Sequence, residues 1–553
     1  MHKKSFSKRH LLFILGGLSL ACYFWMAHLS RQFNWGEGYS DRPILTYLAI
    51  YFCLFALYAG GVALVHRGMQ TRWTFWAMVA FGLAFRLTLL PAQQIQEDDV
   101  YRYLWDGKVF AHGINPFKYA PDEVSEFKQF IVREPDRFEL TYDADSILEL
   151  ARLAQLKWAN DTSLVFMERI NHPGVATIYP PLAQYVFRAV HHLQPDSILA
   201  MRLAFLVFDG IAFTFIVLTL SALGRNRNWS LVYFWCPLVI KETFNSTHLD
   251  IIGIAFLCAS IYFLTQKRFY WAIGFLALSV LGKLYPVILL PLYLKEQARG
   301  LNVKSVWQGW VLSLTLFVSL IVTLYLPFLT IGGKTFAGLQ RFSTYWQSND
   351  SVFALLVWWF ETAVGLEPQG TVGFSYDLPS LAAKITVVIV LLITLAYLLL
   401  RKPSGGPDPH ATNSPDGLSV ALNEVSRQAV AQAPLPAKTD EGAAKPSLPE
   451  KELDDATHSL PALRDIFIIM ALVFLLSPVQ NPWYLCWVLP FLCIFPWRSW
   501  ILLTGLVGLY YLEFYFDYQD MRQYIPWIPW FEYLPFYLLL GWEFWKTKKP
   551  AYN

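Results

Sequence analysis

Three consecutive carboxylates, Glu97, Asp98 and Asp99, open the stretch EDDVYRYLWDG, in which Tyr101, Arg102, Tyr103, Trp105, Asp106 and Gly107 follow. Read as a short helix, the stretch sets Asp98 with Arg102, Asp99 with Tyr103, and Arg102 with Asp106 at i,i+4 spacing. Acids in a first turn gain about 0.3 to 1 kcal/mol from the helix dipole and i,i+4 pairs add a few tenths, so helix-end electrostatics explains part of the pattern. The sharper reading is general-base chemistry. One aspartate removes the proton of an acceptor hydroxyl while its partner is oriented by Arg102. Tyrosine and tryptophan faces suit sugar rings, and Gly107, Gly113 and Asn115-Pro116 are expected to turn the chain back.

Other polar groups stand between apolar runs, where an ionisable side chain at the bilayer centre costs about 2.5 to 3.5 kcal/mol on insertion scales. Lys283, flanked by Gly282 and Tyr285, is either a lysine reaching out of a tight turn or a cation for an anionic phosphate. The stretch KETFNSTHLD offers Lys241, Glu242, Asn245, His248 and Asp250 as a polar wall. His248 and Asp250 alone are a thin ligand set, so no metal residues are assigned and a divalent cation is only a candidate cofactor. SPVQNPWYLCW supplies Gln480, Asn481, Trp483 and Tyr484, which suit an interfacial aromatic belt or a substrate-facing loop. His172-Pro173 and Tyr179-Pro180-Pro181 are turn formers first and sugar contacts second. Arg86 either snorkels or faces a cavity, and Asn160-Asp161-Thr162 and Asn245-Ser246-Thr247 match glycosylation sequons.

The elements that must hold these groups are membrane helices. Of 553 residues 55% are hydrophobic and 15% charged, against about 45 to 50% and about 25% in soluble proteins. The apolar residues fall in blocks near 11–29, 43–65, 73–90, 198–222, 229–241, 250–265, 269–282, 285–295, 305–329, 379–400, 463–478, 483–496, 498–516 and 527–545. The expectation is an all-α polytopic membrane protein of about 12 to 14 transmembrane helices, although several blocks are too short to cross alone. Connectors such as HRGMQTR, GRNRN, QKR, KEQARGLNVK and KTKKP carry the lysine and arginine, which places them and both termini in the cytoplasm. The 91–197 loop, with Asp98 and Asp99, then lies outside. KKSFSKRH before the first block resembles a signal-peptide start, but the apolar run continues past its small-residue site and reads as an uncleaved anchor.

Residues 401–462, rich in Pro, Ala, Ser, Asp and Glu, read as a disordered cytoplasmic linker between a core of 1–400 and further helices of that core at 463–553. Within the long loop, apolar residues of ADSILELARLAQLKW recur at helical spacing and suggest an amphipathic helix. All six cysteines lie in apolar segments, which excludes a disulfide scaffold. No internal repeat is evident, which weighs against inverted-repeat transporters.

EDDVYRYLWDG, then HGINPF, then TIYPPLAQ at 177–184 together resemble the integral-membrane glycosyltransferases of the C-type (GT-C) fold, most of all bacterial polyprenol-phosphomannose-dependent mannosyltransferases. The resemblance implies a GT-C-like architecture, an acidic motif in the first large external loop and a polyprenyl-phosphate sugar donor. Carried over, Asp98 and Asp99 are the base and its helper, in either order. The residues near 117–170 and the 401–462 linker depart from the family pattern.

Two functions are therefore weighed. One is a hexosyltransferase, with a mannosyltransferase as the expectation, that moves a sugar from a polyprenyl phosphate to an acceptor hydroxyl outside the cytoplasm with inversion. The other is a transporter or flippase of a lipid-linked sugar, which needs polar groups along a path through the membrane. The acidic and aromatic clusters lie in loops, which favours the enzyme. Its expected partners are the lipid donor, a glycan, glycolipid or protein acceptor, and membrane lipids, with no nucleic acid. Its expected location is a bacterial inner membrane.

Overall fold

An apolar chain in a solvent that cannot hydrogen-bond its backbone is driven to helix, and helix dominates here. A computed structural model describes residues 8–36, 38–133, 141–367, 369–371, 374–401 and 450–548. The only strands among them form one short antiparallel pair, Gln369–Thr371 with Phe374–Tyr376. Among the described residues, six segments are long and apolar enough to cross a membrane: Lys8–Gln32, Tyr39–His66, Ile198–Ala222, Val303–Tyr345, Leu378–Leu400 and Arg498–Tyr518. The helix Ile44–His66 alone has 23 residues, about 34 Å of rise. The chain is an α-helical, membrane-embedded protein.

Several expected spans are not continuous helices. The block at 229–241 divides into Leu231–Phe234 and Pro237–Ile240 and runs into a π-turn, Lys241–Asn245. The block at 483–496 yields Pro482–Leu485 and Leu489–Leu492. Pro237, Pro482 and Pro490 restart each turn, because proline fits a first helical turn and not the interior. These broken segments are buried inside the protein, the one place where irregular backbone is tolerated at membrane depth.

The two sets of connectors gather at opposite ends of the bundle. At one end Arg42 reaches Gln96 and Tyr518, His172 meets Trp346, and Ser348 bridges to Val479. At the other, Lys8 bonds the Arg67 carbonyl, Asn226 that of Met69, and Arg401 pairs with Asp465. Arg86 neither snorkels nor faces a cavity. Its guanidinium lies 2.6 Å from Asp209 in a fully buried pair that ties Arg72–Leu89 to Ile198–Ala222.

The 91–197 stretch is a packed cap of helices, among them Asp99–Ala111, Pro121–Arg133, Asp161–Glu168 and Pro181–Leu193. The amphipathic helix expected there forms over Ala144–Lys157, with Asp143 capping the Ser146 amide. Gly107 makes no turn. It sits inside Asp99–Ala111, and a β-carbon there would come within 2.5 Å of the Phe187 carbonyl, so glycine lets this helix touch Pro181–Leu193 backbone to backbone. Gly113, at φ 78°, does turn the chain. The expected linker falls largely on 402–449, outside the described residues, but its end at 450–462 is helical, within Glu450–Leu476.

Candidate functional site

The acidic helix begins at Asp99, with Asp98 at its N-cap making no side-chain cap bond. What aims it is the segment before it. Gln96 takes a left-handed φ of 71° and is held by Arg42, while the Ile95 amide donates to Asn245 Oδ1 at 3.0 Å. The two aspartates consequently face different neighbours.

Asp98 accepts from Arg169, Nη2 at 2.6 Å and Nε at 3.2 Å, not from Arg102 as the i,i+4 spacing suggested. Arg102 turns away to Asp106 at 2.8 Å and to the Val175 carbonyl at 2.9 Å. Asp106 also accepts from Gln184, which bonds Thr177. Arg102 and Asp106 are thus scaffold that pins the 171–179 loop to the acidic helix, while Trp105 is buried in that helix. The i,i+4 bond expected of Asp99 does form: Tyr103 Oη donates to Asp99 Oδ2 at 3.4 Å.

Asp99 lies within Coulombic reach of Lys283, Asp250 and His172, and Asn171 donates to it. Tyr103 stacks on Phe187 at 4.8 Å and meets the edge of Tyr179 at 5.0 Å. Lys283 is no outward-reaching lysine. Its Nζ is 2.7 Å from both Asp250 oxygens and 4.1 Å from the centre of the Tyr484 ring. Trp487 Nε1 donates to Asp250 at 2.6 Å, and Tyr285 packs edge-on against Tyr484 and Trp487. Asp99, Tyr103, Tyr179, Asp250, Lys283, Tyr285 and Tyr484 therefore form one acidic, cationic and aromatic cluster, drawn from five separate stretches of chain.

A second cluster lies beside it. Lys241 donates to Ser246 at 2.7 Å and to Tyr511, and Tyr511 Oη donates to Glu242 at 3.0 Å. Lys241 and Glu242 are buried and lie 3.5 Å apart, a polar brace more than an open wall, although Glu242 Oε2 has no bond drawn to it. His248 packs edge-on to Trp483 at 3.7 Å, whereas Asp250, two residues on, is taken by Lys283 and Trp487. The two do not open a cation site together, and among the described residues no three His, Cys, Asp or Glu gather as ligands. Asn481 carries a buried Oδ1 with no bond drawn to it. Asn245 is fully buried and bonded to Ile95 and Gln93, which leaves no room for a glycan on that sequon.

Burial raises both aspartates above the usual carboxylate range. For Asp98 the Arg169 contact opposes the rise; for Asp99 the opposing charge is Lys283. Sequence reasoning missed Arg169, Asn171, Trp487 and Tyr511. The first two belong to RINHP, whose His172-Pro173 reads as a turn former first and a sugar contact second, with no local signal for Arg169 or Asn171. Trp487 and Tyr511 carry no local signal, since an aromatic in an apolar run looks like core. Family models, curated proteins and solved structures yield no match to this chain.

Proposed function

We propose that the protein is a glycosyltransferase of GT-C type, with about 12 to 14 crossings counting its broken helices, that transfers a sugar, mannose in the simplest case, from a polyprenyl phosphate to an acceptor hydroxyl. The observation that carries this reading is the placement of Asp99 opposite the Asp250–Lys283 pair among Tyr103, Tyr179 and Tyr484. The acceptor is a glycan, glycolipid or protein. The membrane is a bacterial inner membrane, with both termini cytoplasmic and the acidic helix outside.

We assign the base to Asp99. A useful base has its affinity for protons raised toward the working pH, and among the described residues no cation pairs with Asp99, whereas Arg169 engages Asp98 directly and opposes its rise. In the step, the acceptor hydroxyl gives its proton to Asp99 and its oxygen bonds the anomeric carbon. The bond from that carbon to the phosphate oxygen breaks, its electron pair leaves with the phosphate, and Lys283 neutralises the charge. Attack opposite the leaving group inverts the linkage. Asp250 keeps the ammonium aimed, and the tyrosines bracket the sugar. No step is routed through a divalent cation.

The test is transfer in vesicles holding the purified protein, supplied with polyprenyl-phosphate mannose and a hydroxyl acceptor, with the product linkage determined. The expected result is a glycoside of inverted configuration. Movement of labelled lipid between leaflets with no glycoside from a panel of donors and acceptors would establish a flippase instead.

A further inference from the structure

Arg202 belongs to no motif, lies in Ile198–Ala222 and is 2% exposed. Among the described residues no carboxylate pairs with it. Its donors go instead to five acceptors: the Leu89, Leu90 and Ala92 carbonyls at 3.3, 2.8 and 2.5 Å, the Asn245 carbonyl at 2.7 Å and Thr247 Oγ1 at 3.0 Å. A planar guanidinium suits this task, because its five N–H groups point in fixed, divergent directions. One side chain thereby joins the end of helix Arg72–Leu89 to the exit of the π-turn Lys241–Asn245.

Both joined segments run straight into the cluster around Asp99. Seven residues after Ala92 comes Asp99, and three after Thr247 comes Asp250, the partner of Lys283. Thr247 has a left-handed φ of 63°, a strained state for a β-branched residue that persists only where its surroundings enforce it. Asn245 reinforces the junction through Ile95 and Gln93.

We propose that Arg202 is a positioning residue that sets the distance between Asp99 and the Asp250–Lys283 pair. The proposal rests on the glycosyltransferase reading for its functional consequence, but its structural half is independent of it. Charged and titratable groups facing Asp99 are Lys283, Asp250, His172, Tyr179, Tyr484 and Tyr510 from other segments, and Glu97, Asp98 and Tyr103 on its own. Of these Lys283 is the main one that favours ionised Asp99, so slackening the junction weakens that field.

The experiment compares wild type, Arg202→Lys and Thr247→Val in vesicles, by hydrogen exchange and by the pH profile of transfer. Lysine keeps the charge but cannot reach five acceptors; valine removes one acceptor and keeps the shape. Arg202→Lys should speed exchange by about tenfold or more in peptides covering 89–99 and 241–250, and leave Leu378–Leu400 unchanged. Its turnover should fall by up to about 100-fold with little change in donor KM, as misplacement of about 1 Å does. The acid limb of its profile should move to higher pH, and Thr247→Val should show smaller changes in the same directions. Unchanged exchange in both peptides, or lost turnover with the acid limb unmoved, would overturn the proposal. Should wild type form no glycoside with any donor, the functional reading fails, and exchange alone then decides whether Arg202 holds the junction.

Discussion

Lys283 Nζ stands 2.7 Å from each oxygen of Asp250, a pair that bridges Asp250–Thr265 and the end of Phe269–Gly282 within Coulombic reach of Asp99. Removing one partner of a buried pair leaves the other uncompensated, at a cost of about 3 to 5 kcal/mol. Lys283→Ala is therefore expected to lower thermal stability and to weaken donor use strongly. Adding Asp250→Asn should restore most of the stability and none of the donor use, whereas Lys283→Arg should keep part of the activity. Wild-type donor KM in Lys283→Ala would remove the phosphate role.

Asp99→Asn should lose about 100-fold or more in transfer rate, because asparagine keeps the size but cannot take a proton. Asp98→Asn should lose less, since Asp98 is engaged by Arg169. Donor binding, measured by quenching or competition, should change little in either. The reverse ranking would move the base to Asp98.

The raised Asp99 gives a pH signature. The base works only when deprotonated, so the rate should climb with pH through a value above the usual carboxylate range and then level off. Burial that favours the neutral carboxyl contributes stability below the unfolded-state value, which is lost as pH rises through the folded one. At neutral pH, Asp99→Asn should consequently melt no lower than wild type, as followed by thermal scans. A clear drop would mean that the charged form is the stabilising one.

His112 and Gly113 are exposed at the end of the acidic helix, while Leu104 to Phe110 are buried, so labelling belongs at 112. A cysteine at 112 should react with an impermeant reagent from outside intact cells and one at 430 only after permeabilisation. Reaction of 112 from the inside would reverse the orientation.

Arg401 and Asp465 pair at the base of Leu378–Leu400 and Glu450–Leu476, so the chain is already closed across the expected linker. Deleting 408–445 should leave melting temperature and turnover close to wild type. Lost turnover in a normally inserted protein would show that this segment does more than connect.

The sequence by itself determined where helices form and where chemistry concentrates. Apolar blocks such as 43–65 and 379–400 recur as Ile44–His66 and Leu378–Leu400 because length and hydropathy alone decide a single lipid-facing span. Singling out Lys283 and Asp250 needed only residue type at membrane depth, and Asp98 and Asp99 stood out by their motif. Partners were another matter. Spacing put Arg102 on Asp98, but the salt bridge comes from Arg169, 71 residues on, because an i,i+4 contact is worth a few tenths of a kcal/mol and yields to any better-placed charge. Equally, nothing in ILAMRLAF marks Arg202 as the clamp of two distant segments. Local pattern specifies elements, whereas long-range pairs exist only once helices far apart in sequence have packed, so they were decided by the tertiary structure.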